Sequence, residues 1–313
     1  MNNAIELKNK LIEELKAAGA DIVSFGNVEK FRDPAVKELF PNAKTCIGIA
    51  CRILRGSKRG IEEGSTYYQY SAFIETIEEI IIPGILLKGA NILEEAGFLA
   101  FPQRRTQLIV NGENKTNFEV NYHEVYDSRG KEILLDFDKC AVDSNLGEIG
   151  LSGSLLTDEF GPNQRICFIL TDAVLPEDPA IKPHLCDNCK ECIKACPGHA
   201  LSENGQRDLW QCSVYYKGAN RKKNPFMPAK AFENLEDEER IAIISGEANL
   251  TPQRAREIID MMGFYPPMKH GYITSICGRA CDTACYVHLE EKGVLTKKFK
   301  SNFRKRPVWE LPI

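Results

Sequence analysis

Four cysteines within one short stretch near the middle of the chain constrain its fold more than any other feature. They form the pattern C-x2-C-x2-C-x3-C followed by proline, in the segment that starts at Cys186 and ends at Pro197. In iron–sulfur proteins with this spacing, three thiolates hold one 4Fe-4S cluster, and the fourth thiolate, before the proline, holds a second cluster. The pattern therefore predicts two clusters and requires four more cysteine ligands elsewhere.

Two later segments can supply the missing ligands. Cys277, Cys281 and Cys285 follow one another at intervals of four residues, and Cys212 lies inside the stretch 210–216. Eight cysteines make two 4Fe-4S sites, and we predict that eight of the chain's twelve cysteines are metal ligands. They are Cys186, Cys189, Cys192, Cys196, Cys212, Cys277, Cys281 and Cys285.

A zinc site, disulfides and buried thiols are the alternative interpretations of these cysteines. Zinc sites leave a longer interval between two cysteine pairs. Disulfides need an oxidising compartment, yet the N-terminal segment has neither an apolar signal core nor a twin arginine, which predicts a reduced, cytoplasmic protein. The remaining cysteines lie in apolar or helical stretches and are predicted to be buried core thiols. They are Cys46, Cys51, Cys140 and Cys167.

The length of 313 residues exceeds what two clusters require and suggests about two domains. The longest apolar stretch, residues 80–87, is too short to cross a membrane, so no membrane span is predicted. A net charge of −4 gives no general argument for nucleic-acid binding. Charge is uneven, however, because residues 292–313 hold seven Lys and Arg against one Glu.

Helical and strand patterns alternate through the first 175 residues, which predicts an α/β or α+β layered domain. The predicted helices cover residues 4–19, 67–95 with an interruption at Pro83 and Gly84, and 136–144. The predicted strands cover residues 21–25, 45–50, 107–110 and 165–171.

A polar, proline-rich segment at residues 176–183 is the predicted linker between domains. We therefore predict one domain at residues 1–178, a ferredoxin-like domain at residues 179–292 and a basic tail at residues 293–313. Residues 217–270 interrupt the cysteine ligands and are predicted to be a helical insert. Within it, Thr251 and Pro252 suit the N-cap and first turn of a helix that runs to Met262.

A glycine-rich loop follows the predicted helix at residues 136–144. Gly147, Gly150 and Gly153 stand within seven residues, and Ser152 lies among them. Glycines let a backbone approach a large flat ligand closely. The loop matches neither the dinucleotide fingerprint nor a phosphate-binding loop with its lysine, and a plain structural turn is an open alternative.

Taken with the cysteines, this order of motifs resembles the epoxyqueuosine reductase and reductive dehalogenase superfamily. The glycine loop leads into residues 155–161, Leu-Leu-Thr-Asp-Glu-Phe-Gly, then a strand and then the cysteine pattern. The resemblance spans roughly residues 1–216 and 272–290. It implies an α/β (α+β) chain in which a nitroreductase-like domain binds cobalamin beside a ferredoxin-like domain with two 4Fe-4S clusters.

The resemblance also implies a pairing of ligands and a cofactor contact. Cys186, Cys189 and Cys192 would share one cluster with Cys285, while Cys196 would share the other. The partners of Cys196 would be Cys212, Cys277 and Cys281. The loop residues that would contact the corrin ring or its nucleotide tail are Gly147, Gly150, Ser152 and Gly153.

Three residues are candidates for the catalytic proton donor. Asp136 and Asp138 are the acids nearest to the position of the superfamily's catalytic aspartate, and either can instead be a helix N-terminal residue. Tyr68 lies with Tyr67 and Tyr70 at the start of a long helix, where the superfamily has aromatic pocket residues. Packing of these tyrosines on the core is the alternative.

The implied activity is that of a cobalamin-dependent reductase that removes an oxygen or halogen substituent from a small molecule or nucleoside. Epoxyqueuosine reductases typically continue into helical repeats that help to hold tRNA, whereas this chain ends 28 residues after Cys285, so we expect a small molecule rather than tRNA. The basic segments 221–223 and 297–306 suggest docking of an acidic electron donor, ferredoxin or flavodoxin. The alternative function is an electron-transfer protein that docks on, or reductively activates, the cofactor of another protein.

Overall fold

The computed structural model describes residues 2–105, 133–263, 275–304 and 307–312. The α-helices are α1 Asn2–Ala17, α2 Ala35–Leu39, α3 Arg55–Glu62, α4 Tyr67–Thr76, α5 Ile82–Glu95, α6 Phe137–Asp143, α7 Glu191–Lys194, α8 Leu209–Tyr216, α9 Asp237–Ser245, α10 Pro252–Asp260 and α11 Ala280–Glu291. The strands are β1 Ile22–Asn27, β2 Thr45–Arg52, β3 Ala100–Arg104, β4 Glu148–Ile149, β5 Leu155–Leu156 and β6 Gln164–Thr171.

Two compact units divide the chain, and neither is continuous in sequence. The first comprises residues 1–50, 82–146 and 166–180, and the second comprises residues 51–81, 147–165 and 181–313. Residues 51–81 and 147–165 therefore cluster with the cysteine-rich part of the chain, although the sequence analysis assigned them to the N-terminal domain. The reason is that packing, rather than order along the chain, defines a compact unit.

A four-stranded sheet with the order β1-β2-β6-β3 organises the first unit. Strand β1 runs antiparallel to β2, and β3 runs antiparallel to β6. The two inner strands, β2 and β6, are buried along most of their length, which explains why their sequences are continuous apolar runs. With its flanking helices, this sheet confirms the predicted mixed α/β class.

Helices α1 and α5 pack together in the first unit. Leu11 and Leu15 of α1 are fully buried. Gly89 of α5 permits the close approach, because an added Cβ would lie 2.5 Å from Ile169 Cδ1 and 3.0 Å from Leu15 Cδ2. A larger residue at position 89 would therefore push α5 away from its neighbours.

Most of the predicted elements are present with shifted ends. The long helical pattern is divided: α4 ends at Thr76, a π-helical turn covers Ile77–Ile81, and α5 begins at Ile82. Pro83 thus lies just after the π-helical turn, and its missing N–H interrupts the regular hydrogen bonding of an α-helix there. The strand predicted at residues 107–110 lies outside the described residues, and β3 was not predicted.

Helices α8, α9 and α10 form a small core of their own in the second unit. Val214, Ile243 and Ile258 are fully buried in it. The helical character predicted for the insert is confirmed, since Thr251 Oγ1 accepts the N–H of Arg254 at 3.2 Å and Pro252 begins α10. The helix ends at Asp260, two residues before the predicted end.

The segment after α11 packs against the second unit. Phe303 is fully buried in a cluster with Tyr286 and Leu289. The Arg55 guanidinium pairs with Glu290 and lies 4.4 Å from the centroid of the Phe299 ring. The tail predicted to be merely basic is therefore also an apolar packing element. Of the helices that the structure describes, none combines the length and the apolar character that crossing a bilayer requires.

Candidate metal centre

The eight predicted ligand cysteines all belong to the second unit, where they fall into two groups of four. We call Cys186, Cys189, Cys192 and Cys285 the first cysteine set. We call Cys196, Cys212, Cys277 and Cys281 the second cysteine set.

The members of the first cysteine set affect the pKa of one of them, Cys285. Burial raises the pKa of Cys285, and the negative charges of Asp282, Cys192, Cys186 and Cys189 raise it further. Because the interaction between charges weakens with distance, these sulfurs lie near one another. Cys285 is thus close to a segment almost a hundred residues earlier in the chain.

The second cysteine set shows the same relationship. Burial raises the pKa of Cys212 to about 11, and the charges of Cys277 and Cys196 add to the rise. The pKa of Cys281 is raised by burial first, and Cys277 contributes to that rise as well. Cys212 therefore lies near Cys277 and Cys196, and Cys281 lies near Cys277.

In two helical segments, a cysteine of one set stands four residues from a cysteine of the other set. Cys192 lies in α7, and Cys196 follows one turn later. Cys281 and Cys285 lie four residues apart in α11, on the same face of that helix. Each of these neighbouring pairs contributes one sulfur to each set, so the two sets are adjacent.

Backbone N–H groups point at two of the sulfurs. The N–H of Leu151 donates to Cys186 Sγ at 3.2 Å, and the N–H of Ala200 donates to Cys196 Sγ at 3.3 Å. Hydrogen bonds to sulfur stabilise thiolate charge and tune the reduction potential of a bound cluster. These donors fit the deprotonated cysteines that ligate a 4Fe-4S cluster.

Within the described ranges, neither cysteine set brings three sulfurs within 4.8 Å of one another. A zinc ion with Zn–S bonds of about 2.3 Å would hold tetrahedral sulfurs about 3.8 Å apart. The group of His, Cys and acidic side chains that does bring three ligand atoms within 4.8 Å is Asp187, Cys189 and His288.

Glu148 connects the glycine-rich loop to the start of the cysteine pattern. Its buried carboxylate accepts the backbone N–H groups of His184 at 2.6 Å, Leu185 at 3.1 Å and Cys186 at 2.9 Å. Sequence reasoning did not identify Glu148. The available signal was an acidic residue between apolar and glycine residues of the loop. An acid that is buried in such a position requires several hydrogen-bond donors.

The glycines of the loop serve two different needs. An added Cβ at Gly147 would lie 2.3 Å from the backbone oxygen of Leu156, so the β4-β5 hairpin itself requires this glycine. At Gly150 it would lie 2.9 Å from Leu156 Cδ1, the end of a side chain that can move. Gly153 has a positive φ of 72°, and nothing lies within 4 Å of its ideal Cβ position. Ser152 is buried, and its carbonyl accepts from Arg207. Gly153 is therefore the loop glycine with open space on its side-chain side.

The two aspartates predicted as catalytic belong to the first unit and have partners of their own. Asp136 is the N-cap of α6 and accepts the N–H of Lys139 at 3.0 Å. Burial opposes ionisation of Asp136, yet hydrogen bonds from Lys139 lower its pKa, so it is an acceptor at neutral pH. Asp138 accepts from Arg105 Nη2 at 2.9 Å.

Tyr68 belongs to the second unit, as the cysteines do. Tyr68 is 51% exposed, whereas Tyr67 and Tyr70 are buried. Tyr67 packs edge-on against Phe226 with ring centroids 5.2 Å apart. The packing alternative thus describes Tyr67 and Tyr70, and Tyr68 keeps an accessible ring.

A cavity of about 410 Å³ lies beside the second cysteine set. Cys196 and Cys277 form part of its wall, and Tyr67 and Trp309 supply aromatic surface. Charged residues of both signs also line it: Lys194, Lys222, Lys223 and Arg304, together with Glu62, Glu247 and Glu310. Arg304 pairs with Glu62, and Lys223 pairs with Glu310. The cavity therefore combines access to one set of sulfurs with a mixed charged lining.

The remaining four cysteines are buried free thiols, as predicted. They are Cys46, Cys51, Cys140 and Cys167. Burial raises the pKa of Cys140 to about 12, and the nearby Asp33 carboxylate contributes to the rise. Such a thiol stays protonated and unreactive at neutral pH.

Comparison with known proteins gives no match to a protein-family model. The tetrachloroethene reductive dehalogenase of Desulfitobacterium hafniense is 43% identical over 65 residues, which are 20% of this chain and 12% of that protein. The epoxyqueuosine reductase of Bacillus anthracis is 26% identical over 237 residues, which are 67% of this chain and 56% of that protein. The chain thus spans about an eighth of the first relative's length and about half of the second's.

Two solved structures are also similar. An epoxyqueuosine reductase with a tRNA-Tyr epoxyqueuosine-modified stem loop has a TM-score of 0.46 and 18% identity, covering 72% of this chain and 60% of that one. A catabolic reductive dehalogenase in complex with 3-bromo-4-hydroxybenzoic acid has a TM-score of 0.46 and 17% identity, covering 79% and 35%.

The chain is therefore similar in sequence, over part of its length, to epoxyqueuosine reductases and to reductive dehalogenases.

Proposed function

We propose that this chain is an iron–sulfur reductase in which the first and second cysteine sets each hold one 4Fe-4S cluster. Electrons pass through the two clusters to a bound cobalamin, and an oxygen or halogen substituent is removed from a small molecule or nucleoside. The observation that carries the proposal is the sorting of eight cysteines into two adjacent groups of four. Because cluster thiolates require a reducing compartment, the proposal includes a cytoplasmic location.

The arrangement of the ligand cysteines would keep the distance for electron transfer between the two clusters short. A 4Fe-4S cluster accepts and donates one electron at low potential. The pairs Cys192 with Cys196, and Cys281 with Cys285, each contribute one sulfur to each set, which keeps the two clusters close. The N–H donors of Leu151 and Ala200 stabilise the thiolates on both sides of this path.

The support for cobalamin comes from the superfamily and from the position of the glycine loop. Bound cobalamin would supply a reducible cobalt centre for the removal of the substituent. The loop lies against the first cysteine set, because Leu151 donates to Cys186. Gly153 leaves room for a ligand, and Arg207 holds the neighbouring Ser152 carbonyl in place. The roles of Gly147, Gly150, Ser152 and Gly153 as corrin contacts are part of this proposal.

Tyr68 is the proposed proton donor that the geometry favours among the three candidates. Tyr68 is half exposed and belongs to the same unit as the ligand cysteines. Asp136 is an ionised helix cap and Asp138 is paired with Arg105, and both belong to the other unit. Rate measurements on Tyr68→Phe would compare it with Asp138→Asn.

An acidic donor such as ferredoxin or flavodoxin is the proposed source of electrons. Lys222 lines the cavity beside Cys196 and Cys277, and the basic segments at residues 221–223 and 297–306 add positive charge to the second unit, which would attract an acidic donor. Opposite charges attract less strongly in salt, since the Debye length falls from about 10 Å at 0.1 M to about 3 Å at 1 M. Reduction by ferredoxin should therefore slow at high salt and after Lys222→Glu.

Anaerobic reconstitution tests the proposal. Protein reconstituted with iron, sulfide and cobalamin, then desalted, should retain about eight irons per chain and a corrinoid absorption spectrum. Fewer than two clusters would refute the proposal. Two clusters without retained corrinoid would refute the cobalamin part.

The alternative is an electron-transfer protein that reductively activates the cofactor of another protein. One observation favours it: the β4-β5 hairpin itself requires Gly147, so this glycine needs no corrin to explain it. The alternative predicts two clusters, no retained corrinoid, and transfer of electrons to a separate cobalamin protein.

A further inference from the structure

A charged group is buried beside the second cysteine set. Lys58 of α3 is 1% exposed, and its Nζ donates to the carbonyl of Gly278 at 2.8 Å. Gly278 follows the ligand candidate Cys277, so the Lys58 ammonium lies against the backbone that carries this sulfur. Sequence analysis assigned no role to Lys58.

One carboxylate is shared by two cations in this group. Asp282 is 3% exposed and forms an ion pair with Arg279. Ser154 Oγ donates to Asp282 Oδ1 at 2.6 Å, and the Asp282 charge also acts on Lys58. Three-quarters of the Arg279 side chain is buried, since 25% of its surface is exposed. Two cations against one anion leave an excess positive charge in the interior.

An excess buried charge is costly unless an anionic group lies beside it. The nearest candidates for that anion are the second-set sulfurs, because the charges of both Cys281 and Cys277 act on Lys58. A 4Fe-4S cluster with four thiolates carries net negative charge, which increases by one unit on reduction. The buried cations therefore have a partner if the cluster is present.

The surroundings of the first cysteine set are different. The charged groups beside it include the buried carboxylates of Glu148 and Asp282. They also include Asp187, to which both His288 and Lys292 are paired. The side chains of Asp187 and Lys292 are 37% and 38% exposed, so water and salt screen their charges. The buried positive charge is thus a feature of one cluster site and not of the other.

We propose that Lys58 and Arg279 make the cluster of the second cysteine set the more easily reduced of the two, so that the first electron to enter the protein resides there. This inference rests on the proposed function, since it requires both clusters. Reduction adds one electron to the cluster without making or breaking a bond, and a nearby buried cation stabilises the added charge. Lys58 is therefore a positioning residue that acts through the cluster.

The expected effect of one buried charge is large enough to measure. Two unit charges roughly 10 Å apart, at an effective dielectric constant of about 20, change an equilibrium constant by roughly tenfold. For a one-electron couple, a tenfold change is about 59 mV in midpoint potential.

The test is an anaerobic redox titration of the two-cluster protein, followed by electron paramagnetic resonance. In Lys58→Met, the higher midpoint potential should fall by about 59 mV or more, while the lower one changes much less. Arg59→Met is the matched control, because this substitution also removes one positive charge from α3. Arg59 instead pairs with Glu63 in a partly exposed ion pair. Its potentials should equal those of the unsubstituted protein. Cys285→Ala, which removes a first-set ligand, identifies which signal belongs to the second cluster.

Asp282→Asn provides an independent second variant. It removes the negative charge from the same group, so the potential of the second cluster should rise. If Lys58→Met loses its second cluster, the direction of the Asp282→Asn shift decides the question. Two clusters whose potentials do not respond to either substitution would overturn this inference and leave the proposed function intact. A protein with fewer than two clusters would overturn both.

Discussion

At the scale of single residues, the surroundings of a cysteine decide what it can do. Cys212 is partly exposed and belongs to the second cysteine set, with three other sulfurs. Cys140 is fully buried and belongs to neither cysteine set. We expect Cys212→Ala to lower the iron content from about eight toward four per chain, because one cluster loses a ligand. Cys140→Ala should leave the iron content unchanged. Iron and sulfide analysis after anaerobic purification checks both, and full iron in Cys212→Ala would exclude Cys212 as a ligand.

A glycine of the loop gives a second prediction at this scale. A Cβ at Gly147 would lie 2.3 Å from the backbone oxygen of Leu156, which cannot move without opening the hairpin. Gly147→Ala should lower the free energy of unfolding by about 1–3 kcal/mol. Gly56→Ala is the control, since nothing lies within 4 Å of its Cβ position in α3 and alanine favours a helix. Urea unfolding under anaerobic conditions measures the difference, and equal midpoints for the two variants would contradict this account.

At the scale of elements, the contact between the β4-β5 hairpin and the cysteine pattern depends on one carboxylate. Glu148→Gln replaces an oxygen by an NH2 group that faces N–H donors, so part of the three-donor arrangement at residues 184–186 is lost. We expect a loss of about 1.5–3 kcal/mol in the free energy of unfolding, together with faster loss of the first cluster to a chelator.

Thr251→Ala is a matched test for Glu148→Gln. Thr251 caps α10, away from the cysteines in sequence, and its loss should cost about 1 kcal/mol. Cluster release should keep its original rate in this variant. The link between hairpin and cluster would be disproved if both variants lost stability but released iron equally fast.

At the scale of the whole molecule, the clusters would join segments that are far apart in sequence. The first cysteine set connects residues 186–192 with Cys285, and the insert lies between them. Metal ligation contributes directly to folding free energy, so iron removal should loosen the second unit. The sheet of the first unit has no ligand cysteine and should keep its protection.

Hydrogen exchange measures this difference between the units. Removal of iron by a chelator under anaerobic conditions should increase exchange and proteolysis at residues 217–263 and in α11. Exchange in β2 and β6 should change little, because their buried core contains only free thiols. Equal deprotection of both units, or none at all, would show that the clusters do not support the second unit separately.

Local patterns in the sequence predicted those features that depend on neighbouring residues. The helix that begins at Pro252 was predicted from its cap, because capping depends on adjacent residues. β2 and β6 were predicted from their apolar runs, because a buried strand needs a short continuous run of apolar residues. The prediction of cluster ligands came from the spacing of the cysteine pattern, and the pairing of Cys285 with that pattern came from the resemblance. Both stay predictions, and the structure places Cys285 near Cys192, Cys186 and Cys189.

Other features were decided only by the tertiary structure. The sequence determined which residues were available: eight candidate ligands, a glycine loop and an alternating α/β pattern. It did not reveal that Lys58 is buried against Gly278, that Glu148 accepts the N–H groups before Cys186, or that Phe303 enters a core. Each of these contacts joins residues that are distant along the chain. Such contacts form when whole elements pack, and no local period in the sequence encodes them.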